Sequence, residues 1–350
     1  MKDTLQTAAQ WLKTKRPFAI ATVTQTWGSA PRGVGSTLII AEDLQVAGSV
    51  SGGCVENAVI EEALQVLKTG KPSLLDFGVT NETAWSVGLT CGGKVQVLVE
   101  AHPAYSKNDT TKKIWQALHA ALLETKPAIL LTHLDPHKHG HLLVFPDGSL
   151  IGDWAYLNEE ARQAALNAFS ERKSQKVELA GEEVLIQIFP RNDRVIIIGA
   201  AHISVPLVTF SKQLGFEVIV VDPRKIFAAE KRYPTAPDRM LDSWPQDVLP
   251  ELKLDADCYA VLLTHDPKID DPALHHFLKS DVSYIGALGS RKTHAKRIER
   301  LKEVGFSKQE IAKIAGPAGL DIAAKTPEEI ALSILAQIVG VKRRDRFSEG

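Results

Sequence analysis

A run of β-branched residues near the middle of the chain constrains the fold more than any other stretch. The run is RVIII, residues 194–198, and such continuous apolar segments are typical of parallel strands that are buried on both faces. Gly199 follows directly, a helical pattern extends to about Leu214, and a second strand pattern, 217–221, ends in Asp222. A glycine after the first strand and an acidic residue at the end of the second predict a mononucleotide-binding βαβ unit. We therefore predict a Rossmann-like, doubly wound parallel sheet in the C-terminal part of the chain.

The glycine fingerprint of this unit is incomplete. Ala201 and Ser204 stand where a dinucleotide-binding loop has its second and third glycines, and the Cβ of Ala201 would occupy the space in which a pyrophosphate approaches the backbone. We therefore expect NAD(P) to bind weakly or not at all. Gly199, His202 and Asp222 are still candidate cofactor-binding residues, because ligands of doubly wound sheets bind at the carboxyl ends of the strands.

Two helix starts stand out further along the chain. Arg291 opens a helix at the end of another predicted strand, where a cation suits an anionic group. Thr326 is a predicted N-cap, because a proline follows it and a glutamate stands three positions later. We predict a helix over 327–339 and, after it, a tail over 341–350 whose short basic run is solvated.

A glycine- and serine-rich loop, GSVSGGCVE at 48–56, organises the N-terminal part. Glycines turn the chain without steric cost, so that several backbone N–H groups can point into one space. The apolar helix that follows adds its own unpaired N–H groups and the positive end of its dipole, which also stabilise a thiolate at that position. The loop thus predicts a reactive cysteine beside an anion cradle. Its candidate residues are Ser51, Gly52, Gly53, Cys54 and Glu56, the last of which is either a site residue or a simple complement to the helix dipole.

A second cysteine also stands beside a glycine pair. Cys91 precedes Gly92 and Gly93, and a strand pattern, 95–99, begins after them. Arg32 lies between a proline and a glycine in an earlier loop, where its guanidinium could pair bidentately with a phosphate or simply be exposed. We take all four residues as candidates for the same site as the first loop, on the assumption that the two glycine pairs meet in space.

The predicted secondary structure changes from glycine-interrupted strands to alternating strands and helices. This change predicts a domain boundary at 190–193. We predict a β-rich α+β domain over 1–190, with its most distinctive part at about 18–100, and the Rossmann-like domain over 194–340. No internal repeat is evident in the sequence.

Composition excludes several classes of protein. The chain has 350 residues, 41 Lys and Arg against 42 Asp and Glu, and three cysteines. This charge balance gives no indication of a nucleic-acid or membrane partner, and no apolar run approaches the ~20 residues that span a bilayer. So few cysteines fit a reducing, cytoplasmic environment and not a disulfide framework or structural zinc. Cys258 is predicted to be a buried core residue.

Alternating histidines occupy the segment His133–His141. Alternate residues of an extended chain lie on one side, which would suit a metal site. Pro136 and Gly140 instead favour a flexible loop, and both interpretations stay open at this point.

Several separate motifs resemble the XdhC/CoxI family, the accessory factors of molybdenum hydroxylases such as xanthine dehydrogenase. They cover roughly 20–100 and 194–340 and follow the family's order; they are WGSAPR at 27–32 with Gly35, GSVSGGCVE at 48–56, GLTCGG at 88–93, YIGALGSR at 284–291 and GPAGLDIAAKTPEEIALSI at 316–334. One departure is Ala201, which stands where the family tends to have a glycine before the histidine.

The resemblance implies a cytoplasmic, metal-binding chaperone that binds the molybdenum cofactor (molybdopterin) and assists its sulfuration or insertion, and that is not itself an enzyme. Its partners would be an apo molybdenum hydroxylase and, as further candidates, a sulfur-donating cysteine desulfurase and a second copy of the chain. Cys54 and Cys91 would contact the molybdenum or its exchangeable sulfur. Gly52, Gly53 and Arg32 would contact the phosphate or the pterin.

Two other hypotheses remain open. The chain could be an NAD(P)-binding oxidoreductase with Cys54 as a redox thiol, which Asp222 favours and Ala201 opposes. It could also be a scaffold that docks the hydroxylase without binding a ligand, which the cysteine–glycine loops oppose.

Overall fold

The computed structural model describes residues 4–28, 30–78, 93–105, 108–138, 140–224 and 232–344. The chain divides into two compact units, Met1–Arg191 and Asn192–Gly350. Each unit is described by itself below.

The first half of the N-terminal unit is a five-stranded antiparallel sheet with the strand order β3-β2-β1-β5-β4. Helix α2 crosses one face of it, and its buried residues Val59, Ala63 and Val66 pack on the sheet. The elements are α1 (Leu5–Lys13), β1 (Phe18–Trp27), β2 (Thr37–Ala41), β3 (Val46–Gly48), α2 (Glu56–Thr69), β4 (Ser73–Phe77) and β5 (Lys94–Ala101).

The second half of this unit is another five-stranded antiparallel sheet, with the order β8-β7-β6-β10-β9. Its crossing helix α4 packs on one face through small residues, Ala161, Ala165 and Ala168. The elements are α3 (Asp109–Leu123), β6 (Ala128–His133), β7 (His141–Val144), β8 (Leu150–Ile151), α4 (Asn158–Ser170), β9 (Gln175–Leu179) and β10 (Glu182–Phe189), with short 3₁₀ turns at Pro103–Tyr105 and Ala155–Leu157.

The two halves are copies of one topology, although no repeat is evident in the sequence. In the part of the chain that the structure describes, each half runs helix, three strands, helix, two strands, and each sheet has the same order of its own strands. The turns that lead into the first strand also match: Lys15 and Thr125 both have φ = 54°, and in each turn the following N–H bonds back to a helix carbonyl, Arg16 to Trp11 and Lys126 to Ala121. Backbone topology therefore repeats where side-chain identity does not.

One core joins the two halves. In β1, successive side chains point to opposite faces: Ala19, Ala21 and Val23 pack under α2, whereas Phe18 and Ile20 belong to the shared core. That core also contains residues of α1, α3 and the second sheet. The β-rich N-terminal part is thus one layered unit with two sheets.

The C-terminal unit is a six-stranded parallel sheet with the order β13-β12-β11-β14-β15-β16. This is the 3-2-1-4-5-6 order of a Rossmann fold, so the predicted fold class is confirmed. Its first strand is buried on both faces, with Ile196 and Ile198 in one core and Val195 and Ile197 in the other. The strands are β11 (Arg194–Ile198), β12 (Glu217–Val221), β13 (Arg239–Leu241), β14 (Cys258–Leu262), β15 (Tyr284–Ala287) and β16 (Ile314–Ala315).

Six helices cover this sheet in the described part of the unit. They are α5 (Ser204–Gln213), α6 (Pro245–Val248), α7 (Pro267–Leu278), α8 (Arg291–Glu303), α9 (Lys308–Ile311) and α10 (Pro327–Arg344), with a 3₁₀ turn at Leu249–Glu251. Cys258 is fully buried in the core, as predicted. None of the helices that the structure describes is both long and apolar enough to cross a bilayer.

The last helix begins as predicted and ends later. The Thr326 hydroxyl accepts the N–H of Glu329 at 3.2 Å, and the Glu329 carboxylate accepts the N–H of Thr326 at 3.0 Å. The predicted tail over 341–350 is corrected at its start, because α10 continues to Arg344. Lys342 is also not simply solvated: its ammonium pairs with Asp193 and lies 4.6 Å from the centre of the Phe216 ring.

Candidate functional site

Two loops meet at one end of the first sheet. Strand β1 ends at Trp27, beside Lys94 at the start of β5, and β3 runs parallel to β1 and ends at Gly48. The loop after β1 contacts the loop after β3, because Arg32 Nε donates a hydrogen bond to the carbonyl oxygen of Ser49 at 3.1 Å. The sheet therefore brings the predicted Arg32 loop and the predicted cysteine loop together.

Gly48 starts the cysteine loop at a position where only glycine fits. Its φ is +85°, and a Cβ there would collide with the carbonyl oxygen of Thr37. That same carbonyl accepts the N–H of Ser49 at 3.1 Å. The close approach directs the chain away from the sheet edge and into the loop.

The loop folds around the carboxylate of Glu56. Oε1 accepts hydrogen bonds from the Ser49 hydroxyl at 2.8 Å, from the Ser51 N–H at 2.9 Å, from the Gly52 N–H at 3.1 Å and from the Val50 N–H at 3.3 Å. Oε2 accepts the Gly53 N–H at 2.8 Å and the Ser51 hydroxyl. The predicted cradle of N–H groups thus exists, and its anion in this structure is a side chain of the same loop.

These contacts set the ionisation of Glu56. Partial burial by itself would raise its pKa, but the hydrogen bonds from the Ser51 and Ser49 hydroxyls and from the backbone outweigh it and lower the pKa to about 2. The group is therefore a carboxylate at neutral pH. Sequence reasoning missed Ser49, whose hydroxyl also accepts the Gly52 N–H at 2.8 Å, because a serine just upstream of the glycine pair carries no signal for that role.

Cys54 lies on the half-buried side of the same loop. It comes just before the N-cap residue Val55 of α2 and packs partly against the core of the first sheet. Its thiol is not in a disulfide. The adjacent Gly53 is exposed, and a Cβ built on it would contact no other atom within 4 Å. Cys54 is therefore a half-buried residue beside open surface.

The second cysteine–glycine pair lies mostly outside the described residues. This applies to Cys91 and Gly92. Gly93 is described: it is buried and directly precedes Lys94, which pairs with Trp27. The chain thus enters β5 at the end of the sheet where the other two loops lie.

A cavity of about 550 Å³ opens elsewhere in the N-terminal unit. Glu100, His102 and His141 line it, and His141 Nε2 lies 3.1 Å from the Glu100 carboxylate. His102 also contacts His119, with 3.4 Å between the two Nε2 atoms. Burial lowers the pKa of His102 to about 3 and that of His119 to about 4, so both imidazoles are neutral at pH 7. No local pattern in the sequence indicates this cluster, because its members lie far apart along the chain.

Two of the alternating histidines, His133 and His141, contact different acids. His133 stacks on Trp154 with 4.1 Å between ring centres and approaches Glu182, with 3.3 Å between Nδ1 and the carboxylate, whereas His141 faces Glu100. Within the described ranges, no three metal-ligating side chains are grouped so that they could bind an ion. His139 lies outside those ranges.

In the C-terminal unit, Asp222 holds the loop after β11 through a hydrogen bond from the loop backbone. Both carboxylate oxygens of fully buried Asp222 are engaged, by the Ala200 N–H at 2.7 Å and by Arg224 at 2.7 and 2.8 Å. Gly199 has φ = +104°, and a Cβ there would press on Thr264. A nucleotide ribose could reach this acid only by displacing Arg224. His202 is exposed in the loop.

Arg291 is exposed on the first turn of α8. The helix N-cap is Ser290, whose hydroxyl accepts the Thr293 N–H at 3.2 Å. Arg291 and His202 thus belong to the C-terminal unit and the cysteine loop to the N-terminal one.

Comparisons with known proteins agree on one family. A model described as the XdhC Rossmann domain matches residues 195–338, and a model of the XdhC and CoxI family matches residues 11–78, which include the loops of Arg32 and Cys54. A Bacillus subtilis protein named as a probable xanthine dehydrogenase subunit is 27% identical over 340 residues, 95% of this chain and 96% of that protein. The molybdenum cofactor insertion chaperone PaoD of Escherichia coli is 26% identical over 341 residues, 97% of this chain and 87% of that protein.

A solved structure shares the whole fold. It is that of a xanthine dehydrogenase from Bacillus halodurans, with a TM-score of 0.79 and 24% sequence identity. The match covers 99% of this chain and 98% of that one. The arrangement of elements is therefore one that occurs in a crystal structure.

Proposed function

Because the chain belongs to the XdhC and CoxI family, we propose that it is a maturation factor for a molybdenum hydroxylase of the xanthine dehydrogenase type. In this proposal it binds the molybdenum cofactor and assists its sulfuration or its insertion into the apo-hydroxylase. The names of two full-length relatives support the proposal, since one is a molybdenum cofactor insertion chaperone and the other a probable xanthine dehydrogenase subunit.

The observation that carries the proposal is the position of Cys54. Its thiol lies at the end of the sheet where the Arg32 loop meets the glycine loop, next to the open surface at Gly53. A molybdenum cofactor supplies a metal–sulfur centre and a phosphate. Thiolates are suitable ligands for soft metal–sulfur centres, and arginine is suited to phosphate. Cys54 is therefore a suitable ligand for the metal–sulfur centre of the molybdenum cofactor.

Arg32 is the residue that we assign to the phosphate or the pterin. The backbone N–H groups of Gly52 and Gly53 already donate to Glu56, so a cofactor phosphate would gain them only if that carboxylate moved. Arg32 is held at the loop by its contact with the Ser49 carbonyl. An anion near the guanidinium would not have to displace Glu56.

The roles of the other candidate residues follow from the same arrangement. Gly93 directly precedes the start of β5 at this end of the sheet, and in the proposal it contributes to the site together with Cys91 and Gly92, its neighbours in the sequence. The partners would be the apo-hydroxylase, a sulfur-donating cysteine desulfurase and a second copy of the chain.

The oxidoreductase alternative is not favoured, because Asp222 bonds to Ala200 and Arg224 and is fully buried.

The test is anaerobic purification of the full chain together with molybdenum analysis and the fluorescence of the oxidised pterin. Cys54→Ser keeps the size of the side chain but replaces the sulfur with a hydroxyl oxygen, and we expect cofactor affinity and activation of the client hydroxylase to fall at least about tenfold, or ~1.4 kcal/mol. Cys258→Ser is the matched control, since that thiol is buried in the core of the other unit. It should lower thermal stability and leave cofactor affinity per folded molecule unchanged. Undiminished cofactor binding by a well-folded Cys54→Ser protein would remove the Cys54 sulfur from the proposal.

A further inference from the structure

A basic pocket of about 230 Å³ lies in the C-terminal unit. It opens where α8 begins, beyond the carboxyl ends of β14 and β15. Most of its polar lining is cationic or can become so; these residues are His265, Lys292, Lys296, Arg297 and Arg300, and Asp270 is the acid among them. Carboxyl ends of parallel strands are where sheets of this type bind ligands.

Arg297 is the central residue of this pocket. It is 1% exposed, its Nη2 donates to the Leu288 carbonyl at 3.1 Å, and the same atom is 3.6 Å from an Asp270 carboxylate oxygen. Nε and Nη1 have no hydrogen-bond partner among the residues that the structure describes. A buried guanidinium with unpaired donors is costly, because these groups lose water without gaining an acceptor. Because Arg297 lines the pocket, an anion that reached these donors from it would provide one.

The rest of the pocket adds the positive charges of Lys292 and Lys296, whereas Arg300 is neutralised by Asp271, to which it donates two hydrogen bonds of 2.6 and 2.8 Å. Asp270 is already engaged, since it accepts a hydrogen bond from the Thr264 hydroxyl at 2.5 Å in addition to its pair with Arg297. Lys292 and Lys296 stand one helical turn apart on α8, on the same face and exposed. The N-terminus of this 13-residue helix contributes the positive end of its dipole.

We propose that this pocket binds a phosphate group. The pocket combines a guanidinium fork, two ammonium groups and a helix N-terminus. Their positive charge is greater than one carboxylate neutralises, and their donors suit the charge and the several oxygens of a phosphate. The volume lies below the ~300–1,000 Å³ of pockets that enclose whole ligands, so the group is either inorganic phosphate or the phosphoryl end of a molecule that extends into solvent. The proposal is independent of the Cys54 site, which lies in the other unit.

The test is calorimetric titration of the full chain with inorganic phosphate at low ionic strength, followed by titration with adenosine monophosphate. Affinity for phosphate is expected to fall at least tenfold in Lys292→Ala/Lys296→Ala, whose side chains are exposed and can be removed without disturbing the core. Lys302→Ala is the matched control: it removes one exposed charge from the last turn of the same helix and does not line the pocket, and its affinity should stay within twofold of the wild type. Arg297→Lys, which keeps the charge and loses the fork, should also weaken binding at least tenfold.

The outcomes separate the two sources of the phosphate group. Equal affinity for both probes identifies a phosphoryl end-group, and a clear preference for inorganic phosphate identifies the free ion; either supports the proposal. It is overturned if the wild type binds neither probe at millimolar concentration, if acetate binds as tightly as phosphate, or if Lys302→Ala weakens binding as much as the lysine pair does. Cys54→Ser should bind phosphate like the wild type, so failure here leaves the proposed function intact.

Discussion

Removal of the Glu56 carboxylate should unfold the loop that presents Cys54. Glu56→Ala deletes the acceptor of four backbone N–H groups and two hydroxyls. Two of the N–H groups belong to Val50 and Ser51, which are 1% and 5% exposed, so water cannot readily replace the lost acceptor. The other two belong to exposed Gly52 and Gly53, where water can.

The magnitude can be worked out in two ways. Hydrogen bonds to a charged acceptor contribute ~1.5–3 kcal/mol each, and the two buried donors therefore suggest a loss of about 3 kcal/mol. The fall of the Glu56 pKa from 4.5 to about 2 gives a similar figure at ~1.4 kcal/mol per unit, which partial exposure of the carboxylate reduces to about 2 kcal/mol. We expect Glu56→Ala to destabilise the N-terminal unit by about 2–3 kcal/mol at pH 7.

The effect depends on pH with a definite sign. Because the pKa is lower in the folded state, the contribution is fully present above about pH 4.5 and is lost as the pH falls towards about 2. The free energies of unfolding of wild type and Glu56→Ala should therefore differ at pH 7 and converge in strong acid.

The assay is urea denaturation at several pH values together with hydrogen exchange of the amides of 50–53. Glu56→Gln keeps the shape of the side chain and loses the charge, so it should lie between wild type and Glu56→Ala. Glu61→Ala is the control, since Glu61 is exposed on the same helix, and it should change stability by less than about 0.5 kcal/mol. A Glu56→Ala protein that unfolds like the wild type, with loop amides that exchange no faster, would refute this account of the loop.

The other predictions concern separate parts of the chain. NADH should bind, if at all, with a dissociation constant above the micromolar range in calorimetry, because Asp222 is engaged by Ala200 and Arg224; a micromolar value would favour the oxidoreductase hypothesis. His102 has a pKa near 3 in the fold against ~6.5 when unfolded, so stability should fall as the pH drops from about 6.5 to 3; His102→Gln should reduce this slope by up to ~1.4 kcal/mol per pH unit in acid titrations of unfolding. Gly48→Ala should cost at least about 2 kcal/mol in urea denaturation, through backbone strain and the collision with Thr37; Gly53→Ala, which is also strained but meets no atom, should cost less, and equal losses would show that the collision is unimportant.

The Rossmann-like sheet could be predicted from the sequence because its information is local. The run Val195–Ile198 is apolar at every position, since each residue is buried on one face or the other. Gly199 has a positive φ, which a residue with a Cβ rarely adopts. Likewise the cap at Thr326 lies within four residues of the groups that it bonds. Both features depend on residues that are close together in the sequence and not on the rest of the fold.

The partners of several other polar groups, in contrast, were decided only by the three-dimensional structure. The sequence indicated a cradle of N–H groups at Gly52 and Gly53, but the turn of the loop determined that Glu56 fills it. The pairing of His102 with His119 depends on the packing of a strand end against a helix, and the unpaired donors of Arg297 depend on which carbonyls lie within its reach. The sequence determines which groups need a partner, whereas register, burial and chain direction in three dimensions determine which partner each one has.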